Sequence, residues 1–266
     1  MSRSHSLQAP CSAGTQVGLW LRGIAPLLWL PVWTLALSPI VIVLGALKQW
    51  DLQTWWMSLW CRGVLKMVGV SVVTEGFDRI PQNGGAILVF NHQSHFDIPA
   101  LTGATNRRIR YGAKAELYSI PIFGWVLKAS GNLPIYRKSR AQVMALYRAS
   151  IGRLKQAGFS FALAPEGTRQ SRPEIGTFKR GPFVFAVEAN APIVPIVIEG
   201  AYEVLPKNRW LPNVDRWHRV IQVSVLEPIG PFSSEPESAD DAVERLRFEA
   251  ETQMRLKFES LKKYRS

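Results

Sequence analysis

The sequence predicts an α/β protein, a layered mixed sheet flanked by helices, with an apolar helical element at its N-terminus. In the body of the chain, short runs rich in β-branched and aromatic residues alternate with segments that carry apolar residues at helical spacing. This alternation is typical of a sheet covered by helices. The first quarter of the chain instead has apolar stretches that are too long for strands. With 266 residues, the chain is long enough for one sizeable core and a terminal appendage.

The first apolar stretch has no charged residue from position 23 to position 47. As a helix it would be long enough to cross the hydrocarbon layer of a bilayer. Three prolines lie within it, Pro26, Pro31 and Pro39. Because proline removes a hydrogen bond inside a helix, we expect them to interrupt or kink it.

A second apolar stretch runs from Trp55 to Val73 and carries tryptophans beside Arg62 and Lys66, a composition that suits the headgroup level of a membrane. The two stretches together predict a membrane-associated element. Its arrangement stays open between one tilted spanning helix and a bent pair of helices in one leaflet, and a hairpin buried in the core is the third alternative.

The charge of the chain predicts an anionic partner. Lysine and arginine exceed aspartate and glutamate by 12, and the isoelectric point is about 10.0. An anionic membrane surface and nucleic acid both fit this charge, but the apolar stretches favour the membrane and no nucleic-acid motif is present. The positive-inside rule places the basic body, from Lys48 onward, on the cytoplasmic face of the inner membrane. The two cysteines, Cys11 and Cys61, have no spacing typical of a disulfide framework or a zinc site.

The body of the chain is predicted to contain five strands: Ala86–Phe90, Leu133–Tyr136, Ser160–Ala164, Ile193–Ile198 and Val220–Val225. Helical spacing predicts helices over Arg140–Gln156 and Gly181–Ala189. After a turn-rich linker, one apolar face predicts a long C-terminal helix, with Val243, Leu246, Ala250, Met254, Phe258 and Leu261. The predicted units are residues 1–74 (leader and apolar helices), 75–232 (α/β domain) and 233–266 (linker and amphipathic helix).

A histidine and an aspartate follow the first predicted strand, in the segment Asn91-His92-Gln93-Ser94-His95-Phe96-Asp97. At the point where a strand gives way to a turn, such a pair can form a general base and the carboxylate that orients it. Three alternatives are open from the residues alone. Asp97 can stand in the first turn of a helix, His95 can be the base, or the three side chains can bind a hydrolytic metal.

Three more blocks stand at the ends of predicted strands: Gly131–Arg137 (GNLPIYR), Pro165–Arg169 (PEGTR) and Ala191–Pro195 (APIVP). In this order and spacing, the four blocks resemble the glycerolipid acyltransferase family, which includes the 1-acyl-sn-glycerol-3-phosphate acyltransferases. The resemblance runs from about Gly76 to Ile198, and the histidine and PEGTR blocks are its specific part.

The resemblance implies a catalytic pair, with His92 as base and Asp97 as its orienter, because four residues separate the two in the family's motif. It implies substrate binding by six residues: Lys114, Arg137, Glu166, Gly167, Thr168 and Arg169. The guanidinium groups of Arg137 and Arg169 suit a phosphate monoester. It implies no metal and no cofactor.

The implied reaction transfers a fatty acyl group from acyl-CoA or acyl carrier protein to lysophosphatidate at a membrane, in phospholipid biosynthesis. The first alternative is an acyltransferase for another lysolipid, such as a lysophospholipid or a lyso-ornithine lipid. A remote alternative is a basic module, without enzymatic activity, that binds membranes.

Overall fold

The computed structural model describes residues 13–82, 85–136, 139–213, 215–231 and 237–263. They form a seven-stranded mixed sheet with helices on both faces, which confirms the predicted α/β class. The N-terminal residues form an apolar helix, also as predicted. The predicted unit boundaries stay a prediction.

The N-terminal element is a pair of antiparallel helices, α1 (Ala13–Ala46) and α2 (Trp50–Met67). The Trp33 indole donates to the Trp60 carbonyl (3.4 Å), and near the other end Gln53 Nε2 donates to the Val41 carbonyl (2.9 Å). The expectation that prolines interrupt α1 is wrong for the helix as assigned, which continues through all three. Packing against α2 and the neighbouring turns compensates for the hydrogen bonds that proline omits.

The second apolar stretch, Trp55–Val73, is divided between a helix and a strand. Helix α2 ends at Met67, and Gly69, with φ of 70°, turns the chain into the first strand. The residues after that glycine belong to the sheet.

The strands are β1 (Val70–Glu75), β2 (Ile87–Phe90), β3 (Ile109–Lys114), β4 (Leu133–Ile135), β5 (Ser160–Leu163), β6 (Ile193–Glu199) and β7 (Arg219–Val225). Their order in the sheet is β1-β7-β6-β2-β5-β3-β4. The strands from β6 to β4 are parallel, β7 is antiparallel to β6, and β1 is parallel to β7. The carboxyl ends of β2, β3, β4, β5 and β6 therefore meet at one edge, where open α/β sheets place their sites.

The remaining helices are α3 (Asp97–Gly103), α4 (Phe123–Ala129), α5 (Arg140–Gln156), α6 (Gly181–Ala189), α7 (Ala201–Val204) and α8 (Ala239–Lys263). One face of the sheet packs against α5, α6 and α8, and the other packs against α2, α3 and α7. Strand β2 shows why both faces are covered: Ile87 and Val89 enter one core, and Leu88 and Phe90 enter the other.

A buried arginine links the helical pair to the sheet. Arg110 on β3 is fully buried and donates to Gln53 Oε1 (3.2 Å) and Thr54 Oγ1 (3.3 Å) on α2. Its guanidinium also lies 4.6 Å from the centre of the Phe159 ring. Burial lowers the pKa of Arg110 to about 9, and the neighbouring Arg108 adds to this. Because these contacts replace the water around a cation, α2 is fixed on the sheet rather than merely adjacent to it.

Candidate active site

The predicted pair meets at the carboxyl end of β2. His92 Nδ1 lies 2.7 Å from Asp97 Oδ2, across the turn that joins β2 to α3. The same oxygen accepts the backbone N–H groups of Gln93 and Ser94, each at 2.8 Å. Asp97 is fully buried, whereas the His92 side chain remains 17% exposed. With Nδ1 directed at the carboxylate, the Nε2 atom of His92 is the ring nitrogen that can meet a substrate.

Two buried side chains hold the turn in place. The Asn91 amide donates to the Ile198 carbonyl and accepts the Ile198 N–H, both at 2.8 Å, which ties the turn to β6. The Ser94 hydroxyl donates to the Leu205 carbonyl at 2.8 Å, just beyond α7. Sequence reasoning gave neither residue a role, because both partners lie more than a hundred positions away along the chain.

Glu166, predicted to bind substrate, is buried and bonded to the protein. One of its carboxylate oxygens accepts from Gln170 Nε2 (3.0 Å) and from the His92 N–H (3.4 Å), and the other accepts from the Gly176 N–H (3.2 Å). Burial raises the pKa of Glu166 to about 7, against the lowering effect of these donors. In addition, the Gln170 N–H donates to the His92 carbonyl (2.8 Å), so the PEGTR segment and the histidine turn support each other.

His95 is placed differently from His92. The Asp97 contact belongs to His92, as the motif spacing predicted. Partial burial lowers the pKa of His95, and the nearby Arg169 and His92 lower it further. The carboxylate that orients a base is bonded to His92, so the geometry favours His92 over His95 for that role.

A cavity of about 750 Å³ opens at this edge of the sheet, and His92 lines it. A volume of this size is in the usual range for a small-molecule site. Its apolar lining includes Phe90, Ile135, Val143, Met144, Leu163 and Val184. Its cationic lining comes from five: Lys114, Arg140, Lys179, Arg180 and Arg247. The cavity lining thus contains both apolar and cationic side chains, and α8 supplies one of the cations, Arg247.

The other predicted residues are only partly brought together. Gly167 and Lys114 line the cavity with His92. Thr168 and Arg169 follow Gly167 in the same turn, outside the cavity lining. Arg137 lies outside the described residues. The binding roles of all these residues stay predictions.

Lys179 is the cation that the structure adds most clearly to this group. Gly167 has φ of 74°, and a Cβ at that position would lie 2.8 Å from Lys179 Nζ. The lysine amine therefore lies directly over the turn of the PEGTR segment. The backbone N–H of Lys179 also donates to the Pro165 carbonyl (2.9 Å). Lys179 and Arg180 are adjacent in the sequence, but only the tertiary structure shows that Lys179 lies against Gly167.

Comparisons with known proteins point to one family. A family model described as "Acyltransferase" matches residues 71–199. The chain is 34% identical over 134 residues to a chloroplastic 1-acyl-sn-glycerol-3-phosphate acyltransferase of Arabidopsis thaliana, covering 50% of this chain and 37% of that protein. It is 30% identical over 136 residues to the 1-acyl-sn-glycerol-3-phosphate acyltransferase of Haemophilus influenzae, covering 50% and 57%. The matched segment thus spans from somewhat over a third to somewhat over half of these relatives' length.

A solved structure matches nearly the whole chain. The crystal structure of the 1-acyl-sn-glycerophosphate (LPA) acyltransferase PlsC from Thermotoga maritima superposes with a TM-score of 0.77 at 27% identity. The match covers 93% of this chain and 98% of that one.

Proposed function

Because the chain belongs to the acyltransferase family, we propose that it transfers a fatty acyl group from a thioester donor to the sn-2 hydroxyl of 1-acyl-sn-glycerol 3-phosphate, giving phosphatidate. The observation that carries the proposal is the His92–Asp97 pair, with His92 lining a cavity that also has apolar and cationic side chains in its lining. The apolar side chains suit acyl chains, and the cations suit the acceptor's phosphate.

His92, oriented by Asp97, performs the proton transfers of this reaction. His92 Nε2 removes the proton of the sn-2 hydroxyl as its oxygen attacks the thioester carbonyl. The C–S bond then breaks, and the imidazolium returns the proton to the departing thiolate, so an ester and a free thiol result. Asp97 holds the Nδ1 proton and stabilises the imidazolium between the two steps. A positioned base of this kind typically contributes about 10²–10⁴-fold in rate.

The acceptor's phosphate binds to cations of the cavity lining, Lys114 on β3 and Lys179 beside the Gly167 turn. Arg169 and Thr168, in the same PEGTR segment, and Arg137 complete this binding group as the resemblance implies. Lys114 pairs with Glu116 at 3.5 Å, but both side chains are exposed, so a phosphate competes easily with this contact.

The donor is acyl-CoA or acyl carrier protein, and both are acidic. Arg140, Arg180 and Arg247 line the same cavity. Electrostatic attraction to these cations favours encounter with either donor.

The α1–α2 pair attaches the chain to the membrane. One stretch of the described residues, Leu28–Ala46, is long and apolar enough to cross a bilayer. Helix α1 packs against α2 and α4 along this stretch, while Leu28, Val32, Leu35 and Val43 form an exposed apolar stripe at helical spacing. A helix with protein on one side and an apolar stripe on the other fits a pair lying in one leaflet better than a spanning rod. Positive charge favours the cytoplasmic face of the inner membrane.

The test is an acceptor and donor panel with purified protein in mixed micelles, with the product measured by mass. His92→Ala should abolish phosphatidate formation and leave membrane association unchanged. His218→Ala is the matched control, because His218 lies exposed by Ser71 on β1, away from the cavity. Undiminished transfer in His92→Ala would refute the assigned base, and transfer only to a lysolipid without a phosphate monoester would refute the assigned acceptor.

A further inference from the structure

The loop after α7 holds a tryptophan out into solvent. We call residues 205–213 and 215–217 the tryptophan loop. The Trp210 side chain at its tip is 95% exposed, and Trp217 near its end is 46% exposed. An indole is largely apolar, so holding it in water costs free energy unless it has a partner.

Hydrogen bonds fix the conformation of the tryptophan loop, and this conformation keeps Trp210 exposed. The Asn213 N–H donates to the Val204 carbonyl (2.8 Å), and the Asn213 amide donates to the Glu203 carbonyl (2.7 Å). Arg209, the residue before Trp210, donates from Nη1 to Asn213 Oδ1 (3.0 Å). These hydrogen bonds hold the loop in a closed turn, with the Trp210 side chain in solvent.

The tryptophan loop lies next to both α1 and the catalytic turn. Trp217 approaches α1 so closely that a Cβ at Gly18 would lie 3.0 Å from its indole ring. Gly18 is about a quarter turn around α1 from Leu28, on the flank of the apolar stripe. At its other end, the loop begins at Leu205, whose carbonyl accepts the Ser94 hydroxyl within the histidine turn.

The charge of the tryptophan loop suits an acidic surface. The loop carries three cations, Lys207, Arg209 and Arg216, and one carboxylate, Asp215, which pairs with Arg216. Indoles beside cations are typical of the headgroup level of a membrane, where the ring lies among the acyl carbonyls and the cations meet lipid phosphates.

We infer that the tryptophan loop is a second membrane contact, which inserts Trp210 into the headgroup layer of an acidic bilayer beside α1. The inference rests on the proposed function for the membrane contact of α1. Two membrane contacts, the α1–α2 pair and the loop that is bonded to the histidine turn through Ser94, would hold the carboxyl edge of the sheet against the bilayer surface. A lysolipid would then reach His92 without leaving the headgroup layer.

The first experiment measures the depth of position 210 in the bound, full-length chain. Trp210→Cys is labelled with an environment-sensitive fluorophore in a Cys11→Ser background; Cys61 is buried and burial raises its thiol pKa to about 12, so it does not react. Phe248→Cys is the matched control, since Phe248 is 70% exposed on α8, across the sheet from α1 and α2. The vesicles contain phosphatidylcholine with about 30% phosphatidylglycerol, to supply the acidic surface.

We expect the probe at 210 to shift to the blue on these vesicles and to be quenched by lipids labelled near the headgroup, while the probe at 248 stays as in water. A probe at 210 that stays water-like on sedimented, vesicle-bound protein would overturn the inference. So would a shift that appears without vesicles, on adding acyl carrier protein or on raising the protein concentration. Failure of the chain to bind vesicles would overturn both the loop contact and the membrane attachment.

The second experiment separates the loop from the chemistry. Trp210→Ser should raise the apparent KM for lysophosphatidate in vesicles about tenfold, the loss expected from partly burying one aromatic side chain. Its kinetics with a short-chain, monomeric acceptor in solution should equal those of the wild type, and Phe248→Ser should change neither. Equal KM values in vesicles would refute the loop contact. No transfer to either acceptor by the wild type would refute the proposed reaction and leave the depth measurement standing.

Discussion

Replacing Asp97 by asparagine tests the catalytic pair at its most buried point. Asp97 Oδ2 accepts from His92 Nδ1 and from two backbone N–H groups, while Oδ1 is buried with no hydrogen-bond partner. Asparagine can keep its oxygen at the Oδ2 position only by placing its NH₂ group at the buried Oδ1 position, which makes no hydrogen bond. The flipped amide would point its NH₂ group at three donors. Both placements remove the negative charge that stabilises the imidazolium.

The magnitudes follow from these contacts. Three charge-assisted bonds become neutral ones, and a buried NH₂ group is left unpaired, so we expect a loss of about 2 kcal/mol in stability. For a chain of this size, that loss lowers the melting temperature by roughly 4–8 °C. The kcat value should fall about 10²–10⁴-fold, since the base loses its orientation and its counter-charge. The acceptor KM should stay within about threefold, because Asp97 lines no part of the cavity.

The assay follows thiol release and phosphatidate by mass, at a temperature well below the melting point of both proteins. Asp78→Asn, an exposed aspartate on the turn after β1, is the matched control and should change neither property. Wild-type kcat in Asp97→Asn would refute the base and orienter roles. A loss of activity equal to the unfolded fraction alone would show that Asp97 is only structural.

Three other predictions concern the surroundings of the pair. Burial raises the pKa of Glu166 from 4.5 to about 7, so its contribution to stability is full below pH 4.5 and is lost, by up to about 3 kcal/mol, as pH rises through 7. Glu166→Gln should flatten that slope in urea unfolding at pH 5 and pH 8, and an unchanged slope would contradict the shift. Lys179→Met should raise the acceptor KM about 10–100-fold with a smaller change in kcat, as expected for a lost phosphate contact, whereas Lys155→Met on the exposed end of α5 should not. Met144→Trp should narrow the cavity and disfavour the longest acyl chains when donors compete. An unaltered product distribution would show that the acyl chain binds elsewhere.

The sequence predicted those helices and strands whose apolar pattern is complete within one short segment. Helices α5 and α6 have the predicted bounds, Arg140–Gln156 and Gly181–Ala189, and the five predicted strands are present within a residue or two at each end. Strand β1 was missed because it continues an apolar stretch that also fits a helix. Strand β3 was missed because it contains a buried arginine, Arg110, and a glycine, where a central strand usually carries apolar residues.

The helices α1 and α2 show the same limit of prediction from sequence. Composition identified two apolar segments, but the prolines predicted interruptions that the assigned helix does not show. Whether a proline ends a helix depends on the packing that compensates for the lost bond, and that packing comes from α2 and α4.

The sequence by itself was sufficient to identify the pair of residues on which the proposed chemistry rests. His92 and Asp97 are five positions apart, so one turn after one strand is sufficient to join them, and their residue types and neighbouring blocks indicate acyl transfer. Tertiary structure alone decided what surrounds that pair: Asn91 tied to β6, Glu166 turned inward beneath the turn, and Lys179 laid over Gly167. These contacts join residues far apart in the chain, and their geometry is set by how the strands are ordered in the sheet. A local pattern can therefore specify a reactive pair, but only the packed sheet specifies which side chains face the substrate and which hold the site in place.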